Sequence, residues 1–170
     1  MRILYTAVAT ANDEGRNGRT RTPDGRLDLD LTTPESMGGP GGEGTNPEEL
    51  FALGYSACFA NAMRSVARRQ GREDVVEDGT VTANVGIGMV EKGRFGLAVR
   101  LDVAVPRLPQ ADAEELVAAA HARCPYSNAT RGSTKCSRYP GPPALVPVPE
   151  RRLPPNGWRP TIAPVIGRLT

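Results

Sequence analysis

Three residues of this chain carry thiols: Cys58, Cys124 and Cys136. A thiol can pack as a small hydrophobe, ligate a metal, form a disulfide or attack an electrophile. Cys58 stands in Gly54-Tyr55-Ser56-Ala57-Cys58-Phe59, at the middle of an apolar stretch. Cys124 stands beside a proline in the polar segment Cys124-Pro125-Tyr126-Ser127-Asn128, where another sulfur can reach it. Two cysteines in separate elements of a cytosolic chain suit a reversible redox pair better than a structural bridge. Packing remains the bland reading of Cys58 beside the reactive one. Zinc would draw on Cys58, His121, Cys124 and Cys136, yet the sequence holds no CxxC pair, and His121-Ala122-Arg123-Cys124 is the one close spacing. His121 reads either as a helix-surface residue or as a base for Cys124.

A reactive Cys58 meets a physical difficulty. An ordinary thiol, with a pKa of about 8.5, is only about 3% thiolate at pH 7, and burial lowers that fraction further. A helix N-terminus cannot help. Cys58 lies about twelve residues, or ~18 Å, past the expected helix start, and the dipole fades within the first turn. A cation must therefore come from elsewhere. The arginines of Gly15-Arg16-Asn17-Gly18-Arg19 are the evident sources, and residue chemistry leaves Arg16 and Arg19 both open.

The elements that would position these groups are legible. Thr45 to Gly71 predicts one long helix, with a capping box at Thr45-Glu48, or Asn46 as cap with Pro47 first. Leu50, Phe51, Leu53, Tyr55, Ala57, Phe59, Ala62, Met63 and Val66 cover most of its circumference, which predicts burial nearly all round. Ile3–Ala9 is β-prone, Asn17-Gly18 is a hairpin signal, and Arg26–Leu31 alternates apolar with charged. Gly38–Gly44 reads as a linker, or as backbone that can approach a ligand closely; it lacks the lysine of a phosphate loop. Val81–Ile87 and Phe95–Val105 alternate about a break at Glu91–Arg94, a second hairpin. A second helix, about Ala111 to Arg123, carries Leu116, Val117 and Ala120 as its stripe. Strands, helix, two strands, helix make the fold class α+β.

Composition narrows the function. No apolar run reaches the ~18–20 residues of a membrane span. The start, Met1-Arg2-Ile3-Leu4-Tyr5, lacks a signal-peptide pattern, so a cytoplasmic protein is expected. Residues 135–170 hold six basic residues and one acid, so the body is mildly acidic despite a net charge of +2, which argues against nucleic acid binding. Residues 134–170 also hold nine of the sixteen prolines and no periodicity. Two regions are expected: a folded domain over 1–133 and a Pro/Arg-rich tail over 134–170, irregular or disordered.

Taken in order, Leu4-Tyr5-Thr6-Ala7, Gly15-Arg16-Asn17-Gly18-Arg19, Gly38-Gly39-Pro40-Gly41-Gly42, Thr45-Asn46-Pro47-Glu48-Glu49-Leu50-Phe51-Ala52, Gly54-Tyr55-Ser56-Ala57-Cys58-Phe59, Val85-Gly86-Ile87-Gly88 and Cys124-Pro125-Tyr126-Ser127-Asn128-Ala129-Thr130-Arg131-Gly132 resemble the organic hydroperoxide resistance proteins (Ohr), a branch of the OsmC-like superfamily. The resemblance spans about residues 3 to 132. It implies antiparallel sheets wrapped around a long central helix in an intertwined homodimer. It implies a thiol peroxidase that reduces organic and lipid hydroperoxides to alcohols in oxidative stress defence. On it, Cys58 matches the peroxidatic cysteine, Cys124 the resolving cysteine, Arg16 the catalytic arginine and Glu48 its partner carboxylate. It implies no metal, haem or flavin, and recycling by external dithiols, notably lipoyl groups on proteins.

Spacing adds one inference. Glu48 and Cys58 are ten residues, about 15 Å, apart on one helix. If Arg16 links them closely, Glu48 comes from the partner subunit, through central helices packed antiparallel. The family's closing strand should follow Ala129-Thr130-Arg131-Gly132, but Ser133 to Pro140 abandons the strand pattern, and Cys136 has no family counterpart. The switch resembles a shifted reading frame. Two alternatives therefore stand beside the peroxidase: a folding-impaired relative, and a non-enzymatic redox-binding module that uses the tail.

Overall fold

The computed structural model describes residues 2–131 and the backbone of Arg168–Leu169. It is an α+β fold with two three-stranded antiparallel sheets and a long helix between them in the chain. The chain forms two compact units, Met1–Gly54 and Tyr55–Thr170.

In the first unit, β1 (Thr10–Ala11), β2 (Arg19–Arg21) and β3 (Asp28–Asp30) pair antiparallel in that order. The expected hairpin at Asn17-Gly18 is present, but a short 3-10 turn over Gly15–Asn17 widens it. Strand β3 follows the alternation: the aspartates face water, Leu29 is half-buried and Leu31 is buried. The β-prone run Ile3–Ala9 forms no strand, and Leu4 and Tyr5 remain more than four-fifths exposed. β propensity needs a ladder partner, and among the described residues one is present only from Thr10 onward. The glycine loop packs against its own chain. A Cβ at Gly39 would collide with the Thr33 carbonyl, so the close approach is made by backbone.

Helix α1 (Pro47–Arg69) begins as its sequence dictates. Asn46 Oδ1 accepts the Glu49 N–H at 2.9 Å, with Pro47 in the first helical position. Its end is closed by Gly71 at φ +68° and by the Arg72 N–H to Ala67 carbonyl bond of 3.0 Å. Tyr55, Phe59, Ala62, Met63 and Val66 recur at helical spacing and are buried. Burial all round does not follow in the single chain: Leu53 is 67% exposed, and Ala57 and Ala60 also face outward. Among the described residues the buried positions of α1 lie along one face.

In the second unit, β4 (Thr80–Met89) and β5 (Phe95–Ala104) form the expected hairpin over ten paired positions. Helix α2 (Gln110–Arg123) buries Ala113, Leu116, Val117 and Ala120. A further helix, α3 (Pro125–Thr130), follows at once. It lies where the sequence predicted only a polar segment. Strand β6 (Arg168–Leu169) pairs antiparallel with β5, residue 169 opposite Leu101 and residue 168 opposite Asp102. That pair falls in the stretch expected to be irregular. The rest of the tail and Cys136 lie outside the described residues.

Candidate active site

Proline explains how Cys124 is presented. The residue before a proline is pushed out of the α region, and Cys124 adopts φ −65° and ψ 123° between two helical elements. It closes α2 by donating its N–H to the Ala120 carbonyl at 2.8 Å, and starts α3 by accepting the Asn128 N–H at 3.0 Å. The break turns the side chain inward, where it is fully buried. Cys58, on α1, is partly buried and receives the Cys124 thiol at a sulfur–sulfur distance of 3.6 Å. The sequence left the two sulfurs in separate elements; the fold brings them into contact.

Three features surround this pair. The Tyr126 backbone N–H, in the first turn of α3, is directed at Cys58 and favours its thiolate. Tyr55, one turn before Cys58, donates its hydroxyl to Ser127 Oγ at 2.9 Å, and both residues are buried. The Tyr55 and Tyr126 rings lie 5.7 Å apart at a tilt of 54°. Within this unit burial outweighs the Tyr126 N–H, and with the neighbouring Cys124 it pushes the Cys58 thiol above its ordinary range. A reactive Cys58 would need a cation to offset this burial.

His121 is not a plain surface residue. Its ring packs against Phe59 with centroids 6.4 Å apart, and its buried Nδ1 has no hydrogen-bond partner among the described residues. Burial, with the Arg131 charge, holds its pKa below the usual histidine value. Arg131 donates to the His121 backbone carbonyl at 2.6 Å, tying the end of α3 to α2. Among the described residues no three of His, Cys, Asp and Glu gather as metal ligands.

The first unit separates the two loop arginines that residue chemistry left open. Arg19 is spent on its own sheet, 2.5 Å from Asp28 and exposed. Arg16 instead meets Glu48 through both terminal nitrogens, at 2.7 and 2.6 Å. The Glu48 carboxylate is nearly buried, and the Arg16 guanidinium beside it holds its pKa below the usual carboxylate range. Glu48 in turn keeps Arg16 firmly protonated.

The second unit thus holds two touching thiols, and the first unit by itself holds a bidentate arginine–carboxylate pair. A family model described as OsmC-like protein matches residues 39–137. The chain is 49% identical over 132 residues to an organic hydroperoxide resistance protein of Xanthomonas axonopodis pv. citri, covering 78% of this chain and 91% of that one. The chain belongs to the OsmC/Ohr family. A crystal structure of an organic hydroperoxide resistance protein from Legionella pneumophila is 50% identical, with a TM-score of 0.71, over 78% of this chain and 93% of that one. One from Vibrio cholerae, with captopril bound in one of its active sites, is 47% identical, with a TM-score of 0.69, over 78% and 88%. The Ohr resemblance read from the motifs therefore holds, and so does the α+β class. The Tyr55–Ser127 bond and the Tyr126 N–H escaped the sequence reading. The signal that could have found the first is its spacing, since each partner stands three residues from a cysteine.

Proposed function

We propose that this chain reduces organic hydroperoxides to alcohols through Cys58, with Cys124 as the resolving thiol and Arg16 and Glu48 activating the nucleophile. The observation that carries the reading is the 3.6 Å approach of the Cys58 and Cys124 sulfurs. Membership in the OsmC/Ohr family makes the chain a cysteine-based oxidoreductase of the peroxidase type.

The chemistry follows from the charges. The Arg16 guanidinium, oriented by Glu48, stabilises the Cys58 thiolate; bringing the thiol pKa down to about 6 raises its thiolate fraction about thirtyfold at pH 7. The thiolate attacks one peroxide oxygen, the O–O bond breaks, and the departing alkoxide takes a proton to become the alcohol. Cys58 is left as a sulfenic acid. Cys124 displaces its hydroxyl as water, forming a Cys58–Cys124 disulfide before further oxidation. An external dithiol, such as a protein-bound lipoyl group, reopens the bridge by exchange. The apolar face of α1 favours an alkyl or lipid hydroperoxide over hydrogen peroxide.

The ten-residue spacing of Glu48 and Cys58 along α1, about 15 Å, supports a site whose two halves come from different chains. Because Arg16 grips the Glu48 of its own chain, the pair acts as a unit on the Cys58 of a second copy. The exposed outward face of α1 and the run Ile3–Ala9, which pairs with no strand among the described residues, suit burial in such an intertwined homodimer.

The direct test follows tert-butyl hydroperoxide consumption with a dithiol in the parent, Cys58→Ser and a chain ending near Ser133. Activity in the parent and the truncated chain, lost in Cys58→Ser, is expected; activity without Cys58 ends the proposal. Mixing Cys58→Ser with Glu48→Ala chains tests the shared site. Proven heterodimers should recover up to about half the parent rate per dimer, and heterodimers that stay inactive exclude a site built from two chains.

A further inference from the structure

We propose that Tyr55 and Ser127 are positioning residues for the sulfur–sulfur step, through the buried hydrogen bond that joins them. The inference rests on the peroxidase reading above and names residues that the thiol chemistry itself does not require.

The geometry is a ladder of two rungs. Tyr55 and Cys58 stand three residues apart on α1, hence on one face. Cys124 and Ser127 stand three apart across the first turn of α3. One rung is the 3.6 Å sulfur contact; the other is the Tyr55 hydroxyl donating to Ser127 Oγ at 2.9 Å. Tyr55 is 3% exposed and Ser127 fully buried, so neither group has water to replace a lost partner.

Helix α3 has reason to need the second rung. At six residues it is too short to hold its own conformation. It hangs from α2 through Cys124, whose extended backbone is a joint between two helices. Arg131 ties its far end to α2, and Tyr55 ties its first turn to α1. With the Tyr126 N–H directed at Cys58, the Tyr55 anchor sets how far α3, and with it Cys124 Sγ, stands from Cys58. A disulfide needs the sulfurs at about 2.05 Å, so they must close by about 1.5 Å as the sulfenic hydroxyl leaves and the S–S bond forms. A loosened α3 spreads Cys124 over other positions, and Cys58 sulfenic acid then waits longer. The alternative fate is a second hydroperoxide converting it to sulfinic acid.

The experiment reads that partition. The full-length parent, Tyr55→Phe, Ser127→Ala, the double variant and Ser127→Thr are reduced, then exposed to a fixed excess of tert-butyl hydroperoxide. Intact and peptide mass spectrometry count Cys58–Cys124 disulfide against Cys58 sulfinic acid. In Tyr55→Phe and in Ser127→Ala the sulfinate-to-disulfide ratio should rise about tenfold, the scale of one lost buried hydrogen bond. The double variant should be no worse than the single ones, since both act through one bond, and Ser127→Thr should recover part of the disulfide. Each single change deletes one oxygen atom, so two independent small deletions guard against a variant that fails to fold. A parental ratio in both folded single variants overturns the inference while leaving the peroxidase reading intact. A parent that consumes hydroperoxide without forming the Cys58–Cys124 disulfide overturns this inference and the resolving role of Cys124. A parent that consumes none overturns the peroxidase reading as well.

Discussion

The Arg16 guanidinium and the Glu48 carboxylate meet through two parallel hydrogen bonds, Nη1 to Oε2 at 2.7 Å and Nη2 to Oε1 at 2.6 Å, within one chain. The fork fixes the plane of the guanidinium as well as its charge. A lysine carries the same charge as a point and cannot be held in that plane. Arg16→Lys is therefore expected to lose at least about tenfold in hydroperoxide consumption, on the order of the cost of one charge-assisted hydrogen bond. The pH profile of Cys58 alkylation supplies the mechanism. In Arg16→Ala it should move to higher pH, because burial and Cys124 then act on the thiol unopposed by a cation. Equal alkylation profiles in parent and variant would remove Arg16 from the activation step.

The same pair makes an acid-side prediction. Glu48 has a folded pKa below its ordinary value, chiefly from the Arg16 hydrogen bonds. A lowered carboxylate contributes stability that is complete above its unfolded pKa of about 4.3 and is lost as pH falls through the folded value. Acid unfolding followed by circular dichroism should thus be less steep below about pH 4 in Glu48→Gln than in the parent. An unchanged acid limb would mean that the pair does not persist in solution.

Cys124→Ser separates the two chemical steps. The first equivalent of organic hydroperoxide should still be reduced, since the attack needs only Cys58. Turnover should then stop, with Cys58 accumulating as sulfenic acid trapped by a dimedone-type reagent, and as sulfinic acid under excess peroxide. Full dithiol-driven turnover in this variant would show that Cys124 does not resolve.

The start of α1 hangs on one side chain. Asn46 Oδ1 accepts the Glu49 N–H, and Asn46 is itself 7% exposed. Asn46→Ala should cost about 1 kcal/mol and lower the thermal midpoint by a few degrees, whereas Asn46→Asp should hold it. Two variants melting alike would place the cap elsewhere, on Thr45.

His121 predicts a near-neutral pH dependence of stability. Its folded pKa is held below the usual value, first by burial and then by the Arg131 charge. A lowered histidine contributes stability that is complete above about pH 6.5 and is lost as pH falls through the folded value. The thermal midpoint of the parent should fall from pH 7 to pH 5, and His121→Phe, which keeps the ring contact with Phe59, should flatten that slope. Parallel slopes would assign the dependence to other groups.

Much of this protein was written locally. The Asn46 cap, the Pro47 start, the Gly71 end, the β4–β5 alternation and the Leu116, Val117, Ala120 stripe are each decided within a few residues, and each appears where its own sequence put it. The motifs likewise identified the family, because ordered short segments survive without reference to shape. What the sequence could not reach depends on distant partners. Ile3–Ala9 has strand propensity but pairs with no strand among the described residues, and part of the apolar circumference of α1 stays exposed there. Residue chemistry left Arg16 and Arg19 equal until the sheet engaged Arg19 with Asp28 and left Arg16 for Glu48. Cys58 and Cys124 are 66 residues apart, and only the tertiary fold set their sulfurs 3.6 Å from each other. The physical reason is the same throughout: caps, turns and periodicity act over neighbouring residues, whereas a contact between two sulfurs 66 residues apart in the chain exists only once the chain has folded.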